Sequence, residues 1–125
     1  MSKKRILIVD DEVDAARLLK ANLEQTNQYE VWVEKWPEDV VKVARDFKPH
    51  LVLLDIIMPR MCGGDVAQAI KNDQQLKDTV IVWLTAAVWR HQVEENDGII
   101  CDYPCLAKPA SLEEIIQCIE TNVPS

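Results

Sequence analysis

The sequence predicts an α/β domain in which a doubly wound, five-stranded parallel sheet carries helices on both faces. Three observations lead to this prediction. Short apolar runs alternate five times with amphipathic stretches. The run Leu51–Leu54 is apolar at every position, which is typical of a strand covered on both faces. The chain has 125 residues, 48% of them hydrophobic, which is enough for one domain with a real core.

In the first half of the chain, two predicted helices separate three strands. From Val13 to about Thr26, apolar side chains recur at helical spacing, which predicts an amphipathic helix. Pro37 can open the second helix, because its missing N–H costs nothing at the first helical position, and Pro49 lies just past the end of that helix. The strands are the apolar runs at 6–9, 31–33 and 51–54.

The second half continues the alternation with two strands and three helices. The double glycine Gly63-Gly64 precedes the first of these helices. Trp89 and its β-branched neighbours lower the helix propensity of the second. Ser111 and Glu114 form a capping box at the start of the last. The strands are 80–84 and 103–107, and the helices are 66–71, 88–95 and 111–122.

Charge and cysteine content exclude several classes of protein. There are 14 basic and 21 acidic side chains, and the net charge of −7 argues against a nucleic-acid-binding surface. The four cysteines are irregularly spaced and do not suggest a disulfide framework. No apolar run is long enough for a signal peptide or a membrane-spanning helix. We therefore expect a cytoplasmic domain with no direct nucleic-acid partner and no membrane insertion.

Polar side chains follow the predicted strands at their carboxyl ends, where open parallel sheets place functional sites. In chain order these side chains are Asp10, Asp11, Glu12, Asp55, Thr85 and Lys108. Each has an ordinary structural explanation when taken alone, since an aspartate after a strand often caps the next helix. As a group, Asp10, Asp11 and Asp55 with Thr85 and Lys108 predict three carboxylates, one hydroxyl and one ammonium at a single edge of the sheet.

This combination of groups suits phosphoryl chemistry. Clustered carboxylates repel one another, and Mg²⁺ offsets that repulsion while keeping several water ligands. A carboxylate beside Mg²⁺ can attack phosphorus and form an aspartyl-phosphate. The metal and the lysine then neutralise charge on the transferring group, and the hydroxyl can donate to a phosphoryl oxygen.

With these residues the sequence resembles the receiver domains of two-component response regulators, of the single-domain chemotaxis type, over essentially the whole chain. The matching segments are Ile6–Glu12, Leu51–Pro59, Gly63, Leu84–Ala86 and Lys108–Pro109. The resemblance implies a flavodoxin-like (βα)5 receiver fold over residues 1–125, with no output domain. It also implies that the chain is not an enzyme but a phosphoacceptor that assists its own phosphorylation and dephosphorylation.

The resemblance assigns a role to each site residue. Asp55 is the expected phosphoacceptor, and the donor is expected to be a histidine kinase or a histidine phosphotransfer protein. Thr85 is the expected switch hydroxyl, while the backbone amide of Ala86 and the side chain of Lys108 are expected to contact the phosphoryl group. The expected Mg²⁺ ligands are Asp10, Asp11, Asp55 and the backbone carbonyl of Ile57. Phosphorylation is then expected to switch the surface of the fourth helix, fifth strand and fifth helix, which controls a partner protein.

The sequence departs from the family pattern at the switch position. Cys105 stands three residues before Lys108, where the family usually carries Tyr or Phe, so the usual coupling of an aromatic ring to the threonine is in doubt. Tyr103 can face the same side of the strand as Cys105.

Among the tryptophans, Trp83 and Trp32 are expected in the core of a doubly covered sheet, and Trp36 is expected to pack ahead of its helix.

Three alternative functions remain open. One is a hydrolase of similar architecture that also forms an aspartyl-phosphate, although such enzymes typically show Asp-x-Asp and Ile57 stands at the second position. The others are a protein-binding module that is never phosphorylated and a receiver excised from a larger regulator.

Residues 80–125 carry two basic and seven acidic side chains. This net charge of −5 suggests a target with a basic surface and does not favour dimerisation through interleaved charges there.

Overall fold

The computed structural model describes residues 3–56, 63–86, 95–96, 99–100 and 102–124. In this part of the chain the strands form one sheet in the order β2-β1-β3-β4-β6-β5. The strands are β1 (Lys4–Val9), β2 (Tyr29–Glu34), β3 (Leu51–Leu54), β4 (Val80–Thr85), β5 (Ile99–Ile100) and β6 (Tyr103–Ala107). All pairings are parallel except that of β5 with β6. The predicted five-stranded parallel sheet is confirmed, and the two-residue β5 adds an antiparallel edge that was not predicted.

The described helices lie between these strands. They are α1 (Val13–Gln25), α2 (Val40–Phe47), α3 (Gly63–Asn72) and the C-terminal helix (Leu112–Asn122). Two boundaries differ from prediction: Pro37 opens a 3-10 turn ahead of α2, and α3 begins at the double glycine instead of after it. The helix predicted at 88–95 lies outside the described residues except for Glu95. No described helix has the length and apolar character needed to cross a membrane.

The capping box at the start of the C-terminal helix is confirmed. The backbone N–H of Glu114 donates to the Ser111 hydroxyl at 3.1 Å, and the Ser111 backbone N–H donates to a Glu114 carboxylate oxygen at 3.1 Å. These bonds satisfy two backbone groups that the first turn of a helix leaves unpaired. The helix therefore starts at a defined residue shortly after the end of β6.

Side chains of successive residues in the sheet enter two separate cores. On β1, Leu7 and Val9 pack on the side of α2 and α3, whereas Ile6 and Ile8 pack on the side of α1 and the C-terminal helix. This alternation is the two-residue period of a strand, and it explains why the central strands are apolar on both faces. Because both faces of the sheet are covered by helices, a polar functional site can form only at the ends of the strands.

The expectation that Trp32 is buried is wrong. Trp32 is 49% exposed, because it lies on β2, the edge strand, where the ring of Phe47 6.1 Å away covers only part of it. Trp36 is 40% exposed and has the ammonium of Lys35 4.9 Å from its ring centre. Trp83, on the interior strand β4, is 2% exposed, as predicted.

A polar network joins the start of the sheet to the C-terminal helix. The buried hydroxyl of Tyr29 donates to the Glu120 carboxylate at 2.8 Å. The ammonium of Lys4 donates to the same carboxylate at 3.0 Å and to the backbone carbonyl of Val123 at 3.2 Å. Burial and the bond to Glu120 raise the pKa of Tyr29, so this hydroxyl keeps its proton. The network ties β1, β2 and the C-terminal helix together.

Candidate functional site

The carboxyl ends of four neighbouring strands bring the predicted polar residues to one edge of the sheet. Asp10 follows β1, Asp55 follows β3, Thr85 ends β4 and Lys108 follows β6. The strand order places β3 between β1 and β4, so Asp55 stands at the middle of this edge. The expectation that these residues converge is confirmed.

Three carboxylates form the centre of the site. One oxygen from each of Asp10, Asp11 and Asp55 lies within 4.8 Å of the others. Asp10 and Asp55 are only 4% and 8% exposed, so water screens their mutual repulsion poorly. A set of oxygen donors with this spacing suits a hard divalent cation that keeps some water ligands. The donor set therefore fits the predicted cation site.

Asp10 and Lys108 form the shortest ion pair at the site. One carboxylate oxygen of Asp10 accepts from the Lys108 ammonium at 2.6 Å, and the other accepts from the Glu12 backbone N–H at 2.9 Å. The Lys108 ammonium also lies 3.6 Å from an oxygen of Asp55. The carboxylate of Asp10 thus shapes the turn into α1 and holds the lysine beside the cluster. It does not cap the helix, because the N-cap residue is Glu12 and α1 has no side-chain cap.

The charged state of Lys108 is favoured by its surroundings. Burial lowers the pKa of this lysine, but the hydrogen bond to Asp10 and the negative charges of Asp10, Asp55 and Glu12 outweigh burial and raise it above its ordinary value of 10.5. The backbone N–H of Lys108 donates to the Thr85 carbonyl at 2.9 Å, and the peptide bond to Pro109 is cis. A permanent positive charge is therefore held at this edge of the sheet.

Thr85 and Ala86 occupy the end of β4. Thr85 is fully buried and pairs in register with Ala107 on β6, whereas Ala86 is exposed. Ile57, whose carbonyl is the remaining predicted ligand, lies outside the described residues, as do Trp89 and Cys101.

Gly63 supports the site in a way that the sequence alone did not indicate. Its backbone N–H donates to the Ile56 carbonyl at 2.7 Å, so the first turn of α3 lies against the segment that carries Asp55. A methyl group on Gly63 would collide with the Asp55 carbonyl and lie 2.8 Å from the Ile56 Cα. Only glycine allows this approach between helix and strand end. The double glycine was visible in the sequence, but its position alone did not predict the contact between Gly63 and the backbone of Asp55.

The predicted switch position lies within the core. Cys105 is buried and stands in register with Trp83 on the neighbouring strand. The Tyr103 ring lies 5.7 Å from the Trp83 ring in an edge-on arrangement. The indole N–H of Trp83 donates to the Ile100 carbonyl at 2.8 Å. Tyr103 and Cys105 pack into the same core, as predicted, and Trp83 on β4 adds a second aromatic ring to it.

Comparison with known proteins agrees with this geometry. The family model for the response regulator receiver domain matches residues 6–120. The chain is 37% identical over 118 residues to the alkaline phosphatase synthesis transcriptional regulatory protein PhoP of Bacillus subtilis, which covers 90% of this chain and 45% of that protein. It is 26% identical over 121 residues to protein PilG of Pseudomonas aeruginosa, which covers 97% of this chain and 88% of that protein. The chain spans less than half the length of several curated relatives, PhoP among them.

Solved structures share the fold. The chemotaxis protein CheY4 of Vibrio cholerae has a TM-score of 0.81 at 22% identity, covering 98% of this chain and all of that one. The non-phosphorylated HemR receiver domain of Leptospira biflexa has a TM-score of 0.76 at 28% identity, covering 98% and 96%. Since the family model covers most of the chain, this protein belongs to the response regulator receiver domains, the phosphoaccepting signalling domains of two-component systems.

Proposed function

We propose that this receiver accepts a phosphoryl group on Asp55 from a histidine kinase or a histidine phosphotransfer protein. The observation that carries the proposal is the cluster of three carboxylates with the Lys108 ammonium beside it. Within this cluster, both oxygens of Asp10 accept hydrogen bonds from described residues. Asp55 stands on the central strand, flanked by the acidic residues after β1 and by Thr85 at the end of β4. This position favours Asp55 as the nucleophile.

The proposed transfer uses the charges already present at the site. A carboxylate oxygen of Asp55 forms a bond to phosphorus as the bond from phosphorus to the donor histidine nitrogen breaks, and the electron pair of that bond returns to the imidazole. The ammonium of Lys108, 3.6 Å from Asp55 before transfer, pairs with a phosphoryl oxygen afterwards. The same edge serves hydrolysis of the aspartyl-phosphate, so the domain acts on its own modification and on no external substrate.

Asp10, Asp11 and Asp55 are the described residues that would hold Mg²⁺, and the carbonyl of Ile57 remains a predicted ligand. When bound, Mg²⁺ neutralises the negative charge of the phosphoryl oxygens. The oxygen-only donor set and its spacing within 4.8 Å support this choice of metal.

Thr85 and Ala86 are proposed to report the phosphorylated state. The hydroxyl of Thr85 and the backbone amide of Ala86 lie at the end of β4, the strand next to Asp55. Thr85 lies two residues from Trp83, so the two side chains share a face of the strand. With Cys105 in place of an aromatic residue, Trp83 supplies the ring that senses movement of Thr85. The controlled surface then includes β6, where Tyr103 contacts that ring.

The partners are proposed at the level of their chemistry. The phosphoryl donor carries a phosphohistidine, and the target presents a basic surface to the acidic segment 80–125. Cytoplasmic location stays a prediction. A hydrolase is disfavoured because Asp55 is followed by Ile56 and Ile57, which leaves no second carboxylate at that position to serve as acid or base.

Phosphorylation of the purified protein tests the proposal. With Mg²⁺ and acetyl phosphate, we expect the intact mass to rise by one phosphoryl group, and beryllofluoride should change the tryptophan fluorescence. Asp55→Asn should abolish both responses. Asp46→Asn is the matched control, because Asp46 is an exposed carboxylate on α2 and its loss should change neither. A wild-type protein that shows no response would refute the proposal and favour an unphosphorylated binding module. A phosphorylated Asp55→Asn variant would refute Asp55 as the acceptor and place the phosphoryl group on another residue.

A further inference from the structure

A cleft lies at the opposite edge of the sheet, at the amino ends of β1, β3 and β4. It consists of two adjoining cavities of about 440 Å³ and 320 Å³. The residues shared by both cavities are Lys48, Pro49, Gln75 and Thr79. Arg45 lines the first cavity, while Arg5 and His50 line the second. Asp10 is five residues along the chain from Arg5, which is about 16 Å at the usual rise per residue of a strand, so the cleft is distinct from the carboxylate cluster.

Hydrogen bonds hold two donors of this cleft in defined states. The Nε–H of Arg5 donates to the Lys48 carbonyl at 2.7 Å, which fixes the guanidinium beside Lys48. The backbone N–H of Arg5 donates to Nδ1 of His50 at 2.9 Å. Nδ1 is therefore the unprotonated nitrogen of a neutral ring, and Nε2 carries the proton. His50 can meet a ligand only as a donor.

Basic side chains outnumber acidic ones in the lining of the cleft, with Arg5, Arg45 and Lys48 against Asp78, although the chain as a whole has a net charge of −7. Within the described part of the chain, the Lys48 ammonium has no hydrogen bond or ion pair. Arg45 is already paired with Asp73 at 2.7 Å, which leaves Arg5 and Lys48 as the cations that can meet a ligand. Asp78 also lines the cleft and offsets part of their charge. Burial and the positive charges of Arg5 and Lys4 lower the pKa of His50, which agrees with a positive environment.

We propose that this cleft binds a small phosphate-bearing ligand, with Lys48 and Arg5 as charge partners and His50 and Gln75 as hydrogen-bond donors. These donors come from β1, from the segment before β3 and from the turn before β4, so three separate segments of the chain supply them. A phosphate group has enough oxygens to satisfy donors from all these directions, and a guanidinium matches its geometry. An acidic protein segment is the competing ligand that the test must separate.

The test measures binding of inorganic pyrophosphate by NMR titration, with protein freed of divalent cations so that the carboxylate cluster cannot hold the anion. Amide signals around Lys48 and Gln75 should shift in the wild type. Lys48→Gln and Gln75→Glu should each weaken binding by about two- to fivefold, the range expected for one solvent-exposed charge. Lys42→Gln and Gln68→Glu make the same chemical changes at exposed positions on α2 and α3 and should leave binding unchanged.

Three results would overturn the proposal. Pyrophosphate could cause no shifts at the cleft, or all four variants could bind as the wild type does. A peptide of consecutive glutamates could shift the cleft signals where pyrophosphate does not, which would assign the cleft to an acidic protein segment. None of these outcomes depends on phosphorylation of Asp55, so this test and that of the proposed function can fail independently.

Discussion

Replacing Gly63 by alanine should both destabilise the protein and impair the phosphoacceptor site. The new methyl group would lie 2.8 Å from the Cα and 3.0 Å from the carbonyl oxygen of Ile56, and closer still to the carbonyl of Asp55. Carbon atoms in favourable contact are about 3.5–4.0 Å apart. All three obstructing atoms belong to the backbone, so no side-chain rotation relieves the clash. Either α3 or the segment carrying Asp55 must move.

The expected cost follows from this overpacking. Forcing one methyl group into a packed site usually costs about 1–3 kcal/mol. For a chain of this length, about 1 kcal/mol corresponds to roughly 4 °C in melting temperature. Gly63→Ala should therefore lower the melting temperature by about 4–12 °C. Because Asp55 shifts with its backbone, phosphorylation by acetyl phosphate should also slow.

Gly64→Ala is the matched control, since Gly64 is the next residue of α3 and is exposed. In a helix, alanine is favoured over glycine by up to about 1 kcal/mol, so this variant should be as stable as the wild type or slightly more stable. Thermal unfolding followed by circular dichroism, with phosphorylation followed by intact mass, distinguishes the two. If both variants melt together, or if Gly63→Ala is phosphorylated at the wild-type rate, the close approach described for Gly63 is incorrect.

Four further predictions concern the polar and charged groups. Tyr29→Phe should lower the free energy of unfolding by about 1 kcal/mol in urea titrations, because Glu120 loses the Tyr29 hydroxyl and keeps the Lys4 ammonium as a donor. An unchanged free energy of unfolding would contradict the hydrogen bond between Tyr29 and Glu120. The hydrogen bonds from Tyr29 and Lys4 hold the pKa of Glu120 below its ordinary value of 4.5. Their contribution to the free energy of unfolding is therefore present above pH 4.5 and is lost as the pH falls through the lowered pKa. The free energies of unfolding of the wild type and of Tyr29→Phe should converge in acid. Lys108→Gln should tighten Mg²⁺ binding, because Asp10 and Asp55 lose a competing cation. The same substitution should slow phosphorylation. Weaker Mg²⁺ binding in calorimetry would contradict the competition between Lys108 and the metal. Once a target is found, its affinity should fall between low and physiological salt, and salt-independent binding would exclude a basic target surface.

The order of strands and helices, and the residues at the strand ends, could be predicted because they depend on local patterns. The apolar run Leu51–Leu54 requires cover on both faces wherever it lies in the sheet. Asp10, Asp55 and Lys108 each follow a strand, and parallel strands carry their carboxyl ends to the same edge. The candidate site was therefore predictable before any distance was known.

The exposure of the tryptophans could not be predicted from these patterns. Trp32 and Trp83 both lie in apolar strands, yet one is half exposed and the other buried. The difference comes from strand order, because β2 lies at an edge and β4 in the interior. The sequence shows that a strand exists but not which strands flank it.

The sequence by itself determined the fold class and the set of groups that form the candidate site, because two-residue and helical periods and strand-end positions are local properties of the chain. The receiver family was indicated by the resemblance of the motifs around Asp55 and Lys108, and the family model confirms it. The tertiary structure alone decided three contacts. Gly63 packs against the backbone of Asp55, Trp83 stands in register with Cys105 on the neighbouring strand, and the backbone N–H of Arg5 fixes the tautomer of His50. Each of these contacts joins residues from different segments of the chain. Their distances depend on how the strands and helices pack together, and no local pattern records that packing.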